Sequence, residues 1–207
     1  MTTTQYTTAV AAVSGAAKSG SARRAMIDSQ LRTSGVNEPY VLAAMARVAR
    51  EDFVPAADRD AAYHDRAVSL GNGRFLPAPL VHGKMVAAAA PGLDDKALIV
   101  GNGSAYLAEV LRPLVGSLQV VDAAEIDTGM TGAPYSLIIV DGAVEELPEA
   151  LNNALAADGR IVSGLIQKGI SRLVVGSKVA GSVVFAPLSD IAIPALAEFA
   201  APKRWSF

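Results

Sequence analysis

Apolar positions in the first part of the chain recur at helical spacing. Met26, Ile27 and Leu31 share one face of a helix predicted over Ala22 to Arg32, which Ser34-Gly35 ends. Val41, Leu42, Met45 and Val48 form a second stripe, with Asn37 as its cap and Pro39 in its first turn. Phe53-Val54-Pro55 closes that unit, and Leu70-Gly71-Asn72-Gly73 reads as a turn. Pro77-Ala78-Pro79 then opens a helix to about Ala90, stopped by Pro91-Gly92.

From Asp95 the pattern changes. Ala97–Val100 is wholly apolar, as expected of a short strand buried on both faces of a parallel sheet. Gly101-Asn102-Gly103 turns the chain into a helix from Ala105 to about Val115. Strands are predicted over Leu118–Val121, Ser136–Val140 and Gly159–Ile166, with a helix over Glu145–Ala156. Arg172–Val175 and Ser182–Phe185 flank a turn at Ala180-Gly181 and suggest an antiparallel hairpin. Alternating strands and helices imply an α/β fold, mainly parallel, with a helical lead-in and a C-terminal hairpin. Residues 21–91 and 95–207 are not separated by a Pro/Gly/Ser-rich linker, so one domain is expected over 21–207. Residues 1–20 are small and polar and read as a weakly ordered extension rather than a signal peptide.

Composition narrows the chemistry. The absence of cysteine excludes disulfides, thiolate zinc sites, iron–sulfur clusters and a cysteine nucleophile, and only two histidines make a metal site unexpected. A formal charge of −2 gives no general pull toward nucleic acid. No apolar run approaches the roughly 18–20 residues that span a bilayer. Neither nucleic acid nor membrane is an expected partner, and the expected location is the cytoplasm.

The strongest chemical signal is the run Ala97 to Tyr106. A glycine pair between strand and helix lets the backbone approach a ligand, with helix N–H groups pointing at it. Asp122 follows Gly101 by 21 residues, at the end of the next predicted strand, where a carboxylate can accept from both hydroxyls of a ribose. In a dinucleotide fingerprint the third glycine would fall on Tyr106, which argues against NAD and FAD; a nucleoside without a pyrophosphate, such as S-adenosylmethionine, demands less there. Gly101, Asn102, Gly103, Ser104, Asp122 and Asp141 are therefore the candidate cofactor residues. Asn102 and Ser104 either contact ligand or cap the helix, and Asp141-Gly142 is either a ligand edge or a turn.

Several dispersed motifs then point one way. ArgArgAlaMetIleAspSerGlnLeuArg (23–32), ValLeuAlaAlaMetAlaArgVal (41–48), ArgGluAspPheValPro (50–55), AlaTyrHisAspArgAlaVal (62–68), GlyAsnGlyArgPheLeuProAlaPro (71–79) and LeuIleIleValAspGlyAla (137–143) stand in one order. In that order the chain resembles the protein-L-isoaspartate O-methyltransferase family over roughly residues 22–207. The resemblance implies a Rossmann-like class I methyltransferase fold, S-adenosylmethionine as cofactor, and methyl transfer to an isoaspartyl carboxylate of a protein or peptide. It also implies that Pro77 and Ala78 border the substrate; His82, just past them, either faces that cleft or is a histidine on a helix face. Pro77 stands where the family pattern usually has a serine, and proline supplies no hydroxyl to position a carboxylate. The alternative is a non-catalytic relative that keeps the fold as a binding or assembly module.

A second departure is one of length. Only 13 residues separate Asp122 from Ser136. One crossover between parallel strands takes about 10–12 residues or more, so a crossover plus a further strand does not fit. The outer strand after Asp122 is therefore expected to be missing, leaving Leu118–Val121 as a sheet edge with unpaired backbone groups. Such an edge is normally covered, and a homodimer is the favoured cover, ahead of the chain's own 123–135 segment and the extension before Ser21.

Overall fold

A computed structural model describes residues 18–202 apart from Ser104; the expected extension falls, up to residue 17, outside the described residues. Helix α1 covers 18–26 and continues through a π-turn, Ile27–Leu31, and a 3-10 turn, Arg32–Ser34, before Gly35 ends it at φ 90°. Helix α2 (Pro39–Arg47) buries Val41, Leu42, Ala44 and Met45. Its N-cap is Glu38 rather than the expected Asn37, whose backbone N–H donates to the Glu38 carboxylate at 3.0 Å. Pro39 fixes that boundary, because its ring presets the first helical φ and it has no N–H to satisfy.

The turn at 70–73 carries two strands that the apolar pattern does not reveal, β1 (Val68–Gly71) and β2 (Arg74–Leu76). Asn72 and Gly73 sit at φ 53° and 73°, the pair of left-handed residues that a tight hairpin needs. Helix α3 (Pro79–Ala89) is buried along most of its length and ends at Ala90, with Pro91 next.

One mixed sheet of six strands forms the centre: β3 (Lys96–Val100), β4 (Ser117–Val121), β5 (Tyr135–Val144), β6 (Leu155–Gln167), β7 (Ile170–Val179) and β8 (Ser182–Asp190). The order is β4-β3-β5-β6-β7-β8. The pairs from β4 through β6 are parallel and the last two, around β7, antiparallel. Helix α4 (Ala105–Leu111) links β3 to β4. Between β4 and β5 lie only a 3-10 turn, Ala123–Glu125, and a single turn of helix, α5 (Ile126–Gly129). As the spacer length requires, β4 is an outer strand of the sheet.

Alternate sides of the strands serve two cores. Ala97, Ile99, Leu137 and Ile139 face the helical lead-in, while Leu98, Val100, Ile138 and Val140 face the cluster that includes Ile126 and Leu151. The helix expected over 145–156 shrinks to α6 (Glu149–Ala154), with Pro148 as its N-cap. Residues 145–148 form no helix, and a C-terminal segment holds the backbone here: Ala143 N–H donates to Pro194 O at 2.8 Å, and Glu145 N–H to Phe199 O at 3.0 Å.

Candidate functional site

The strand order reverses between β3 and β5, so a crevice lies outside their carboxyl ends, where ligands of open parallel sheets bind. The chain leaves β3 at Gly101, whose N–H donates to Val121 O at 3.2 Å and ties the turn to the end of β4. Gly103 has φ 113°, and a Cβ there would come within 2.6 Å of Leu70 Cδ1. The backbone angle demands glycine, whereas the Leu70 methyl is the end of a side chain that can move aside.

Asp122 follows β4. Its carboxylate caps the 3-10 turn, accepting from Ala124 N–H at 3.1 Å, and remains exposed. Gly101, Gly103 and Asp122 converge on one cleft of about 440 Å³, bordered also by Phe53 and Ala105. Asn102 is engaged elsewhere: its Oδ1 accepts from Ala123 N–H at 3.2 Å and its Nδ2 donates to Glu198 at 2.9 Å. Ser104 lies outside the described residues.

Asp141 and His82 form a separate, buried unit. The Asp141 carboxylate, 5% exposed, lies 2.8 Å from His82 Nε2, and His82 is fully buried. On the other side of the ring the Arg50 guanidinium lies 3.1 Å from Nδ1. Arginine can only donate, so Nδ1 accepts and the Nε2 proton goes to Asp141, which is the neutral imidazole. Burial holds the His82 pKa below its ordinary value, the Arg50 charge adds to that, and Asp141 opposes both. Arg50 is itself fully buried, donating to Ala62 O at 2.7 Å and to Pro77 O, with its guanidinium 4.8 Å from the centre of the Tyr106 ring. Burial also pulls the Arg50 pKa down. Neither Asp141 nor His82 borders the cleft at Asp122.

Sequence reasoning did not single out Arg50. It entered only as the first residue of the ArgGluAspPheValPro run (50–55), and nothing in that run marks one of its charges as buried.

Of the substrate candidates, Pro77 is buried beneath the start of α3, with its carbonyl held by Arg50. Ala78 alone among them borders an open groove, about 860 Å³ and mainly apolar, with Asp65, Phe75, Val81 and residues 191–195 around it. His82 does not border it. The arrangement thus holds two openings: a glycine-and-carboxylate cleft at the end of β4, and an apolar groove at the start of α3.

The profile of the family described as Protein-L-isoaspartate(D-aspartate) O-methyltransferase matches residues 21–128. Protein-L-isoaspartate O-methyltransferase 1 of Rhodopseudomonas palustris is 32% identical over 165 residues, covering 68% of this chain and 67% of that protein. The Koribacter versatilis protein-L-isoaspartate O-methyltransferase is 32% identical over 193 residues, covering 81% and 87%. Among solved structures, a Plasmodium falciparum chain assigned to the same activity, in complex with S-adenosyl-L-homocysteine, superposes with a TM-score of 0.64 at 18% identity. It covers 85% of this chain and 98% of that one, and at such identity the likeness speaks for the fold.

Proposed function

Because the chain belongs to the protein-L-isoaspartate O-methyltransferase family, we propose that it is a protein carboxyl methyltransferase with a degenerate cofactor site, acting on isoaspartyl residues. The observation that carries this reading is the convergence of Gly101, Gly103 and Asp122 on one cleft at the carboxyl edge of the sheet. S-adenosylmethionine fits the polar end of that cleft: the exposed Asp122 carboxylate retains acceptor capacity for ribose hydroxyls, and the glycine turn allows close approach of the backbone. When bound, it supplies a methyl group activated on a sulfonium.

The chain's own task is then alignment. A carboxylate with a pKa near 4 is already ionised at pH 7, so no general base is needed to expose its lone pair. Catalysis is the holding of that oxygen in line with the methyl carbon, and positioning alone supplies much of a barrier reduction. Pro77 offers no hydroxyl for this, and its carbonyl is committed to Arg50. The Asp141 carboxylate is likewise withdrawn, toward His82. Both features weaken alignment and remote binding energy, so a slow enzyme is expected.

The second reading, a non-catalytic module on the same fold, is favoured by Pro77 and by the 13-residue spacer after Asp122, which leaves β4 at the sheet edge. The discriminating assay is transfer of labelled methyl to an isoaspartyl peptide at millimolar S-adenosylmethionine. Transfer above the protein-free rate, lost in Asp122→Ala, supports the enzyme; a rate equal to the control supports the module.

A further inference from the structure

After β8 the chain does not leave the molecule but crosses the carboxyl edge of the sheet. Ser171 Oγ fastens its start, donating to Ile191 O at 2.6 Å and accepting from Ile193 N–H at 3.1 Å. Ala195 bridges Ala143 in parallel, and Leu196 N–H returns a bond to Ala143 O at 2.9 Å. Phe199 O accepts from Glu145 and Glu146, and Ala201 N–H donates to the Glu145 carboxylate at 2.7 Å. These bonds place the segment on the loop that follows β5.

It also reaches the turn that follows β3. The Glu198 carboxylate accepts from Asn102 Nδ2 at 2.9 Å, in the middle of the glycine turn. Leu196 lies against Gly142 so closely that a Cβ on Gly142 would be 2.6 Å from Leu196 Cγ. Leu196 and Phe199 are 8% and 4% exposed and join the apolar cluster of Val121, Ala123 and Val140. A segment that touches the ends of β3, β4 and β5 at once fills the crevice where the sheet order reverses. The cleft at Asp122 stays open beside it.

We propose that residues 194–202 form an autoinhibitory strap that occupies the apolar, purine end of the nucleoside site, so that binding a purine nucleoside requires its release. This rests on the proposed cofactor reading and names the chain's own competitor for that site. A flat, apolar base needs the volume that Leu196 and Phe199 fill. The strap is suited to release because it is stitched on rather than woven in. It forms one isolated bridge and a three-residue 3-10 turn, Ala197–Phe199, and stands outside the six-stranded sheet. Residues 191–195 of the same run wall the groove at Ala78, so release changes both openings together.

The test is calorimetric titration with S-adenosylhomocysteine of the full chain and of the double variant Leu196→Ala with Glu198→Ala. The proposal expects at least tenfold tighter binding by the variant; equal or weaker binding by a variant with a cooperative melt overturns it. Should the variant not fold, hydrogen exchange on the unmodified chain decides. Amides of Ala143, Glu145, Glu146 and Leu196 should lose protection at millimolar S-adenosylhomocysteine, and unchanged protection overturns the proposal. The methyl-transfer assay separates the two readings. Tighter binding without any transfer refutes the enzyme and leaves the strap, while transfer with unaltered affinity refutes the strap and leaves the enzyme.

Discussion

Replacing Asp141 by alanine should destabilise the protein far more than it alters any cleft. The side chain is 2.8 Å from His82 Nε2, and its charge faces Arg50 across the imidazole ring. Its removal orphans the Nε2 proton and leaves a buried guanidinium without a countercharge. Breaking a buried charge pair by deleting one partner costs about 3–5 kcal/mol. For a chain of this size that corresponds to a fall in Tm of about 6–20 °C, a large share of a typical domain stability of roughly 5–15 kcal/mol. Asp141→Asn should cost less, because the amide oxygen can still accept from His82 while the countercharge is lost. Urea denaturation of the three proteins gives the comparison directly. A loss under about 1 kcal/mol for Asp141→Ala, with a marked loss of nucleoside affinity, would refute the structural role and return Asp141 to the cofactor site.

Acid should weaken the fold through His82. An unfolded histidine titrates near pH 6.5, whereas the buried ring is held lower, so the unfolded chain binds the extra proton. Stability is complete above that pH and falls as the pH drops below it; a urea midpoint flat between pH 7 and pH 5 would contradict this. Gly103→Ala should lower stability by about 1–3 kcal/mol, from backbone strain at φ 113°, and a thermal melt measures it. Among the described residues the β4 edge pairs only with β3, and Val120 is 43% exposed, so a homodimer is expected by light scattering at micromolar concentration and should be lost in Val120→Lys. A chain that scatters as a monomer at every concentration would refute that.

Much of the architecture was legible because the signals were local. The apolar run Ala97–Val100 gives β3, the turn at Ala180-Gly181 gives the hairpin of β7 and β8, and the 13-residue spacer gives the outer position of β4. The strands β1 and β2 escaped notice because they are too short to alternate visibly, and their pairing rests on the Asn72-Gly73 turn. The glycine turn and Asp122 could be placed together by spacing alone. Arg50, His82 and Asp141 could not, since 32 and 59 residues separate the contacting pairs and only packing brings them into register. The same holds for Leu196 and Glu198, which carry no motif and act through where β8 delivers them.

On the proposed reading, Asp122 and the turn at 101–103 still form a nucleoside site, though a weakened one. Calorimetry with S-adenosylhomocysteine on the unmodified chain and on Asp122→Ala tests it most directly. The dissociation constant should be weaker than micromolar, with a further loss of about 1–3 kcal/mol on removing the carboxylate, as for hydrogen bonds to a charged group. Micromolar binding that Asp122→Ala leaves unchanged would contradict it.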